Sequence, residues 1–257
     1  MNAVADAFTL QLNFHGDLPF FVRPKQGARQ VVRQLREKTS VKDAIEACGV
    51  PHPEIDLILV DNQPADFSFP LQADAKIDVH PVTAPADLFP AARLQRRQPN
   101  RFLADGHLGK LTRDLRLLGL DVAYSRAAVD PQLVARAVAE ERVLLTRDRL
   151  LLMHAAVRDG YYLRSQDPEE QTREVLVRFN LRDRIAPFTC CLRCNGLLAA
   201  VRKAEIVAQL EPLTKIYYET FRRSRECGQL YWGGSHFEKL RARIDRLLAA
   251  SQNSPPP

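Results

Sequence analysis

The sequence has 257 residues, which is enough for about two domains at roughly 150 residues each. Apolar residues make up 46% and charged residues 26%, so the composition is that of a folded protein and excludes wholesale disorder. No apolar stretch reaches the roughly 18 residues of a membrane span, and the first residues lack the pattern of a secretion signal. The five cysteines are too few for a disulfide scaffold. We therefore expect a reducing, cytoplasmic environment and consider a metal site.

Charge divides the chain into an acidic front and a basic back. Residues 1–85 hold 8 basic and 11 acidic side chains, whereas residues 86–257 hold 29 and 20. This asymmetry predicts separate modules with separate partners, and a nucleic acid is the leading candidate for the basic part. The alternative is that arginine is simply a common surface residue here.

The first 84 residues carry the pattern of a small α/β domain. Alternating apolar residues over Phe8–Phe14 predict a strand. Three further strands are predicted at Arg29–Arg36, Ile55–Val60 and Ile77–Pro81. Between them, Thr39 or Ser40 caps a short helix that ends at Gly49. Such an order fits a β-grasp, ubiquitin-like domain that resembles sulfur carriers. Those carriers need a free carboxyl-terminal Gly-Gly, which is absent here, so we expect a domain that docks a protein partner.

After a predicted linker at residues 85–99, residues 100–184 alternate strands with helices, which predicts a parallel sheet. Asp105 follows the strand at residues 102–104, Asp130 precedes Pro131 at a helix start, and Asp148 follows the strand at residues 143–146. Ligands bind beyond the carboxyl ends of parallel strands, and clustered carboxylates suit Mg²⁺ or Mn²⁺. Each aspartate is alternatively a helix cap.

The strings at Phe102–Asp121 and Val143–Asp148 (VLLTRD) resemble the mut-seven C-terminal ribonucleases, which belong to the PIN-like nucleases. The resemblance implies an N-terminal ubiquitin-like domain, a PIN-like nuclease domain and a C-terminal zinc ribbon. It also implies that Asp105, Asp130 and Asp148 bind the catalytic metal. A fourth acidic residue is expected, for which Asp121, Glu141 and Asp167 are candidates. Thr146 is expected to support the Asp148 carboxylate, and Arg147 and His107 to contact phosphate, although His107 is equally a surface histidine.

Residues 185–250 form the predicted ribbon. Cys191 and Cys194 have the spacing of a metal knuckle, and Cys227 supplies a third thiol. Ser224 stands where the resemblance implies a fourth cysteine, and Cys190, His236 or water are the substitutes considered. The alternative is a ribbon of reduced thiols without zinc. Residues 251–257 are predicted to be a disordered tail.

Basic and aromatic residues of the ribbon suit a single-stranded nucleic acid. The residues expected to bind it are Arg222, Arg223, Arg225, Trp232 and His236. A closing helix around Leu240, Ile244 and Leu247 is expected to keep its arginines as a solvated face.

The sequence thus predicts a metal-dependent ribonuclease that uses Mg²⁺ or Mn²⁺, with zinc in the ribbon. Two alternatives stay open, a catalytically inactive RNA-binding protein and an adaptor that acts through the ubiquitin-like domain.

Overall fold

A computed structural model of the chain describes residues 7–23, 27–85, 87–95 and 99–250, without the side chains of residues 235, 236 and 250. The chain forms two compact units, one of Met1–Arg97 with Thr146–Tyr162 and the other of Gln98–Leu145 with Leu163–Pro257. The predicted tail at residues 251–257 lies outside the described residues. Within the described part, no helix combines the length and the apolarity needed to cross a membrane.

Strands and short helices alternate along most of the chain. The strands are β1 (Phe8–Phe14), β2 (Gln30–Leu35), β3 (Thr39–Ser40), β4 (Ile55–Val60), β5 (Gln63–Ala65), β6 (Pro70–Leu71), β7 (Ala75–Pro81), β8 (Arg101–Ala104), β9 (Asp121–Tyr124), β10 (Val143–Thr146), β11 (Gly160–Tyr162), β12 (Leu198–Val201), β13 (Phe221–Ser224) and β14 (Leu230–Trp232). The α-helices are α1 (Val41–Glu46), α2 (Gly109–Leu117), α3 (Asp130–Ala139), α4 (Arg149–Leu152), α5 (Pro168–Arg178), α6 (Lys203–Ile206), α7 (Pro212–Tyr217) and α8 (Ser235–Ala250). Single 3₁₀ turns lie at Leu18–Phe21, His52–Glu54, Pro90–Ala92, Arg182–Arg184 and Val207–Gln209.

The first unit contains the predicted β-grasp domain. Its five-stranded sheet has the order β2-β1-β7-β4-β5. The two central strands, β1 and β7, run parallel, and every other pair is antiparallel. The alternation of Phe8–Phe14 buries one face of β1 against α1 and the rest of the core. The Ser40 hydroxyl accepts a hydrogen bond from the Asp43 amide at 3.0 Å and so caps α1 as predicted.

The segment after β7, which the sequence predicts to be a linker, is fastened to this domain. Asp56 is fully buried on β4, and its Oδ2 accepts a hydrogen bond from Arg93 Nη1 at 3.0 Å. Its Oδ1 accepts another from the Gln95 amide at 2.8 Å, and Gln95 Nε2 donates to the Ile55 carbonyl at 2.7 Å. The linker interpretation is therefore corrected for residues 93–95, because a buried carboxylate requires these partners.

The second unit is built on parallel strands, as predicted. Strand β8 lies between β9 and β10 and pairs in parallel with both. Helix α2 packs against β9 and α5, and Gly119, with φ of +87°, follows its end. Asp167 caps α5 by accepting hydrogen bonds from the amides of Glu169 and Glu170. The alternation of buried strand and amphipathic helix thus predicted this sheet correctly.

The ribbon belongs to the same unit as the parallel sheet. Strands β12, β13 and β14 form an antiparallel sheet. Helix α8 buries Ile244 and Leu247. On the same helix, Arg243 donates to both carboxylate oxygens of the buried Asp114 at 2.6 Å and to Glu169 at 2.8 Å. Arg243 is therefore a structural cation that joins α8 to α2 and α5.

We predict that Asp56→Ala destabilises the first unit by about 3–5 kcal/mol, because it leaves the buried Arg93 guanidinium without its partner. The double variant Asp56→Leu/Arg93→Leu removes both charges and should recover most of that loss. Urea unfolding of both variants and of the wild type measures the effect. Equal stability of Asp56→Ala and wild type contradicts the assigned ion pair.

Candidate active site and cysteine cluster

Parallel pairing places Asp105 at the carboxyl edge of the sheet in the second unit. Ala104, the last residue of β8, stands opposite Leu145 of β10 and Tyr124 of β9. Asp105 continues this register for one residue, since its amide donates to the Leu145 carbonyl at 3.0 Å. Its side chain is half-buried and does not cap a helix, because α2 begins only at Gly109.

A cavity of about 560 Å³ lies beside this edge and brings two of the three predicted aspartates together. Asp105, His107, Arg126 and Asp130 contribute to its lining. Asp130 is the first residue of α3, one position later than a cap, and its carboxylate makes no capping hydrogen bond. The prediction that Asp130 caps this helix is therefore wrong by one residue. Its exposed carboxylate is left to face the cavity.

Tyr124 holds the loop that follows β8. Its hydroxyl donates to the Gly106 carbonyl at 2.8 Å and lies so close to Gly109 that a Cβ there would be 2.9 Å away. A Cβ on Gly106 would lie 3.0 Å from the Arg126 carbonyl oxygen. The two glycines thus let the loops after β8 and β9 approach closely, which places Asp105 and Arg126 on one cavity.

Asp148 lies in the first unit, two residues after Thr146. Its Oδ1 accepts hydrogen bonds from the amides of Leu150 at 2.7 Å and Leu151 at 3.3 Å, so it caps α4. The hydroxyl of the buried Thr146 accepts a hydrogen bond from the Asp148 amide at 2.9 Å. Thr146 therefore fixes the backbone at Asp148. The Asp148 side chain is exposed at this position.

The three candidates for a fourth acidic residue take different positions. Asp121 begins β9 and pairs with Arg101, the first residue of β8, which is the amino edge of the sheet. Its Oδ1 accepts hydrogen bonds from Arg142 at 2.7 Å and Asn195 at 2.6 Å. Glu141 precedes β10 at that same edge, with φ of +49°. Neither therefore joins Asp105 at the carboxyl edge, and the third candidate, Asp167, is the cap of α5.

The segment that carries Asp148 is fastened to the ubiquitin-like domain by Arg149. This guanidinium donates to the carbonyls of Phe21 at 3.1 Å and Phe20 at 3.4 Å. It also lies 5.2–5.7 Å from the ring centroids of Phe20, Phe21 and Tyr162. Further along, the Tyr162 amide donates to the buried Glu54 carboxylate at 2.6 Å. The position of Asp148 in the first unit thus depends on contacts with residues of the ubiquitin-like domain.

The cysteine cluster of the ribbon is formed as the sequence predicts. Sγ atoms of Cys191, Cys194 and Cys227 all lie within 4.8 Å of one another, and Cys191 and Cys227 are 3.7 Å apart. Tetrahedral zinc with Zn–S bonds of about 2.3 Å requires sulfur atoms about 3.8 Å apart. Burial opposes ionisation of Cys191, but hydrogen bonds from Tyr231 and from nearby backbone amides lower its pKa to about 6. The three thiols therefore fit a zinc ion.

Ser224 occupies the fourth corner of this cluster. Its hydroxyl oxygen lies 3.2 Å from Cys194 Sγ and accepts a hydrogen bond from the Cys227 amide at 3.3 Å. Cys190, considered as a substitute, is buried outside the group of three, and burial raises the pKa of its thiol. The side chain of His236, the other substitute, lies outside the described residues.

The predicted nucleic-acid-binding residues do not share one face of the ribbon. Arg222 pairs with Tyr231 in register, whereas Arg223 is the next residue of β13 and faces the opposite side of the sheet. Arg223 and Arg225 line one cavity of about 510 Å³. Arg222 instead donates to the Phe188 carbonyl at 2.9 Å, and Trp232 is 40% exposed. The cluster is thus divided between two surfaces.

Two family models match this chain. The Mut7-C RNAse domain model matches residues 100–244, and the Mut7-C ubiquitin model matches residues 7–87. The chain therefore belongs to the Mut7-C RNAse family, with a ubiquitin-like domain in front, and its family points to a nuclease. Searches among curated proteins and among solved structures each gave no match.

Sequence reasoning missed Arg126 and Arg149. Arg126 lies in the loop after β9, four residues before Asp130, so the rule that ligands bind beyond strand ends would have included it. Arg149 had no such signal, because its partners Phe20 and Phe21 are more than 120 residues away in sequence.

We predict that Arg149→Met lowers the stability of the first unit by about 2–3 kcal/mol, because charged hydrogen bonds and ring contacts are lost together. Denaturant unfolding measures this loss. Arg158→Met is the matched control, because Arg158 is exposed in the same segment. Equal losses in the two variants contradict the assigned anchor.

We predict that Ser224→Cys binds zinc about tenfold or more tightly than wild type, because a fourth thiolate replaces a hydroxyl in the site. Cys194→Ala should reduce zinc content to background. Competition with a chromogenic chelator measures both. Ser68→Cys, which adds a thiol in the ubiquitin-like domain, is the control and should leave zinc affinity unchanged.

Proposed function

We propose that this protein is a metal-dependent ribonuclease that hydrolyses phosphodiester bonds of RNA. The observation that carries the proposal is the cavity at the carboxyl edge of the parallel sheet, where Asp105 and Asp130 meet Arg126 and His107. The family match supplies the substrate class, since it is an RNAse domain that matches this part of the chain.

The donor set at this cavity suits a hard divalent cation. Asp105 and Asp130 offer carboxylate oxygens and the cavity leaves room for water, which is the environment that Mg²⁺ and Mn²⁺ prefer. We propose Asp148 as the third ligand because it lies two residues after β10 and because the family resemblance implies it. A bound ion would activate water and stabilise the leaving oxygen of the phosphodiester.

Hydrogen-bond donors around the two aspartates are suited to hold the substrate. Arg126 lies on the cavity and can donate two parallel hydrogen bonds to a phosphate. His107 is exposed on the same cavity and can donate a third. These contacts would align the phosphodiester against the carboxylates. On the ribbon, Arg223, Arg225 and Trp232 are proposed to bind the RNA strand by phosphate contact and stacking.

We predict that Asp105→Asn, Asp130→Asn and Asp148→Asn each lower RNA cleavage at least about 100-fold, because each removes one carboxylate from the metal site. The assay follows a labelled single-stranded RNA with Mn²⁺, with Mg²⁺ and with EDTA. Asp183→Asn is the matched control, since Asp183 is exposed in the same unit and lies outside the cavity. It should cleave like wild type.

Each contrary result leads to a different function. Cleavage that survives all three substitutions, or that persists in EDTA, contradicts the metal-dependent site. RNA binding without cleavage favours the catalytically inactive RNA-binding protein. Absence of both activities favours an adaptor that acts through the ubiquitin-like domain.

A further inference from the structure

A second cavity, of about 980 Å³, is formed within the first unit beside Asp148. One side is contributed by the segment after β10, with Arg147, Asp148 and Arg149. The other is contributed by the ubiquitin-like domain, with Arg23 and Val22 among its lining residues. The lining thus includes three arginines and one carboxylate. A cavity wall rich in arginine is suited to a polyanion.

Arg149 does not supply the cationic surface of this cavity directly. Its guanidinium donates hydrogen bonds to the carbonyls of Phe20 and Phe21 and lies over their rings, so it is not available to a ligand. Its effect is to hold the Asp148 segment against Phe20 and Phe21, which precede Arg23 by three and two residues.

Arg23 is well placed to be the binding cation. Its amide donates to the Cys48 carbonyl at 2.8 Å, so its backbone is held in place. A Cβ on Gly49 would lie 3.2 Å from Arg23 Cγ and 2.7 Å from the Phe21 carbonyl oxygen. Only glycine fits there, with φ of +95°, and the arginine stem lies along it. The Arg23 side chain is exposed and makes no ion pair within the described residues.

We propose that this cavity binds the phosphodiester backbone of the RNA, and that Arg23 makes one of the phosphate contacts. The ubiquitin-like domain then takes part in RNA binding beside Asp148. The proposal rests on the proposed function, because it needs RNA as the ligand and Asp148 as part of the site. An acidic protein partner is the competing occupant, and the experiment distinguishes the two.

The test is the salt dependence of binding of a fluorescein-labelled single-stranded RNA to the full chain, measured by anisotropy in EDTA. Each phosphate contact to a single strand contributes about 0.7 to the slope of log K against log salt. Arg23→Ala should reduce that slope by about 0.7 and weaken binding about fivefold at 0.1 M salt. Arg23→Lys, which keeps the charge, should retain the wild-type slope.

Arg36→Ala is the matched control. Arg36 is exposed at the end of β2 in the same domain and lies outside the lining of the cavity. It should bind like wild type, and equal losses in Arg36→Ala and Arg23→Ala overturn the proposal because they show only the effect of net charge. Thermal unfolding confirms that both variants keep the fold.

The outcomes separate this inference from the proposed function. If wild type cleaves RNA, Asp105→Asn does not, and Arg23→Ala keeps the wild-type slope, then the cavity does not bind RNA and the ribonuclease stands. In that case the acidic partner becomes the favoured occupant. If wild type neither binds nor cleaves RNA, both proposals are wrong.

Discussion

The parallel pairing of β8 with β9 and β10 is the constraint on which the candidate site depends. Parallel strands end at one edge, and the residue that follows each of them is brought to that edge whatever its distance in sequence. One residue beyond β8, the Asp105 amide still donates to the Leu145 carbonyl, so the backbone position of Asp105 follows from the sheet itself. The same geometry rejects Asp121 and Glu141, which lie where strands begin. Sheet direction, more than residue type, therefore decides which acids belong together.

The chain leaves the second unit at Thr146 and returns to it after Tyr162. Over this interval Arg149, Val157 and Tyr162 form hydrogen bonds with residues of the ubiquitin-like domain. Glu54 is 3% exposed, and a buried carboxylate needs donors, which the Tyr162 amide supplies. The segment at residues 146–162, which the RNAse domain model includes, is thus packed in one unit with the ubiquitin-like domain. A charged anchor at Arg149 and a buried acceptor at Glu54 tie the segment with Asp148 to the front of the chain.

Sequence patterns predicted the features that depend on interactions between nearby residues. The alternation of Phe8–Phe14 and the Ser40 cap of α1 are set by neighbours within a few residues, and the structure confirms them. Arg93 lies in the predicted linker and no role is predicted for Arg149, because nothing near either residue in sequence reveals a partner. Their partners are buried groups far away in sequence. Long-range polar pairing has no periodicity, and that is why it escaped prediction.

Net charge alone does not show which cations are available to an anion. Several arginines of the basic half donate hydrogen bonds to groups within the protein. Arg243 donates to the Asp114 carboxylate, and Arg116 donates to the Val122 carbonyl. Guanidinium groups held in this way are not available to a phosphate, and those paired with carboxylates add little to an external field. The acidic front, by contrast, holds Arg23 exposed on a cavity. What attracts a phosphate is a cation whose partners are not already supplied by the protein. The position of a cation on a cavity wall is therefore a better guide to phosphate binding than the net charge of the module that carries the cation.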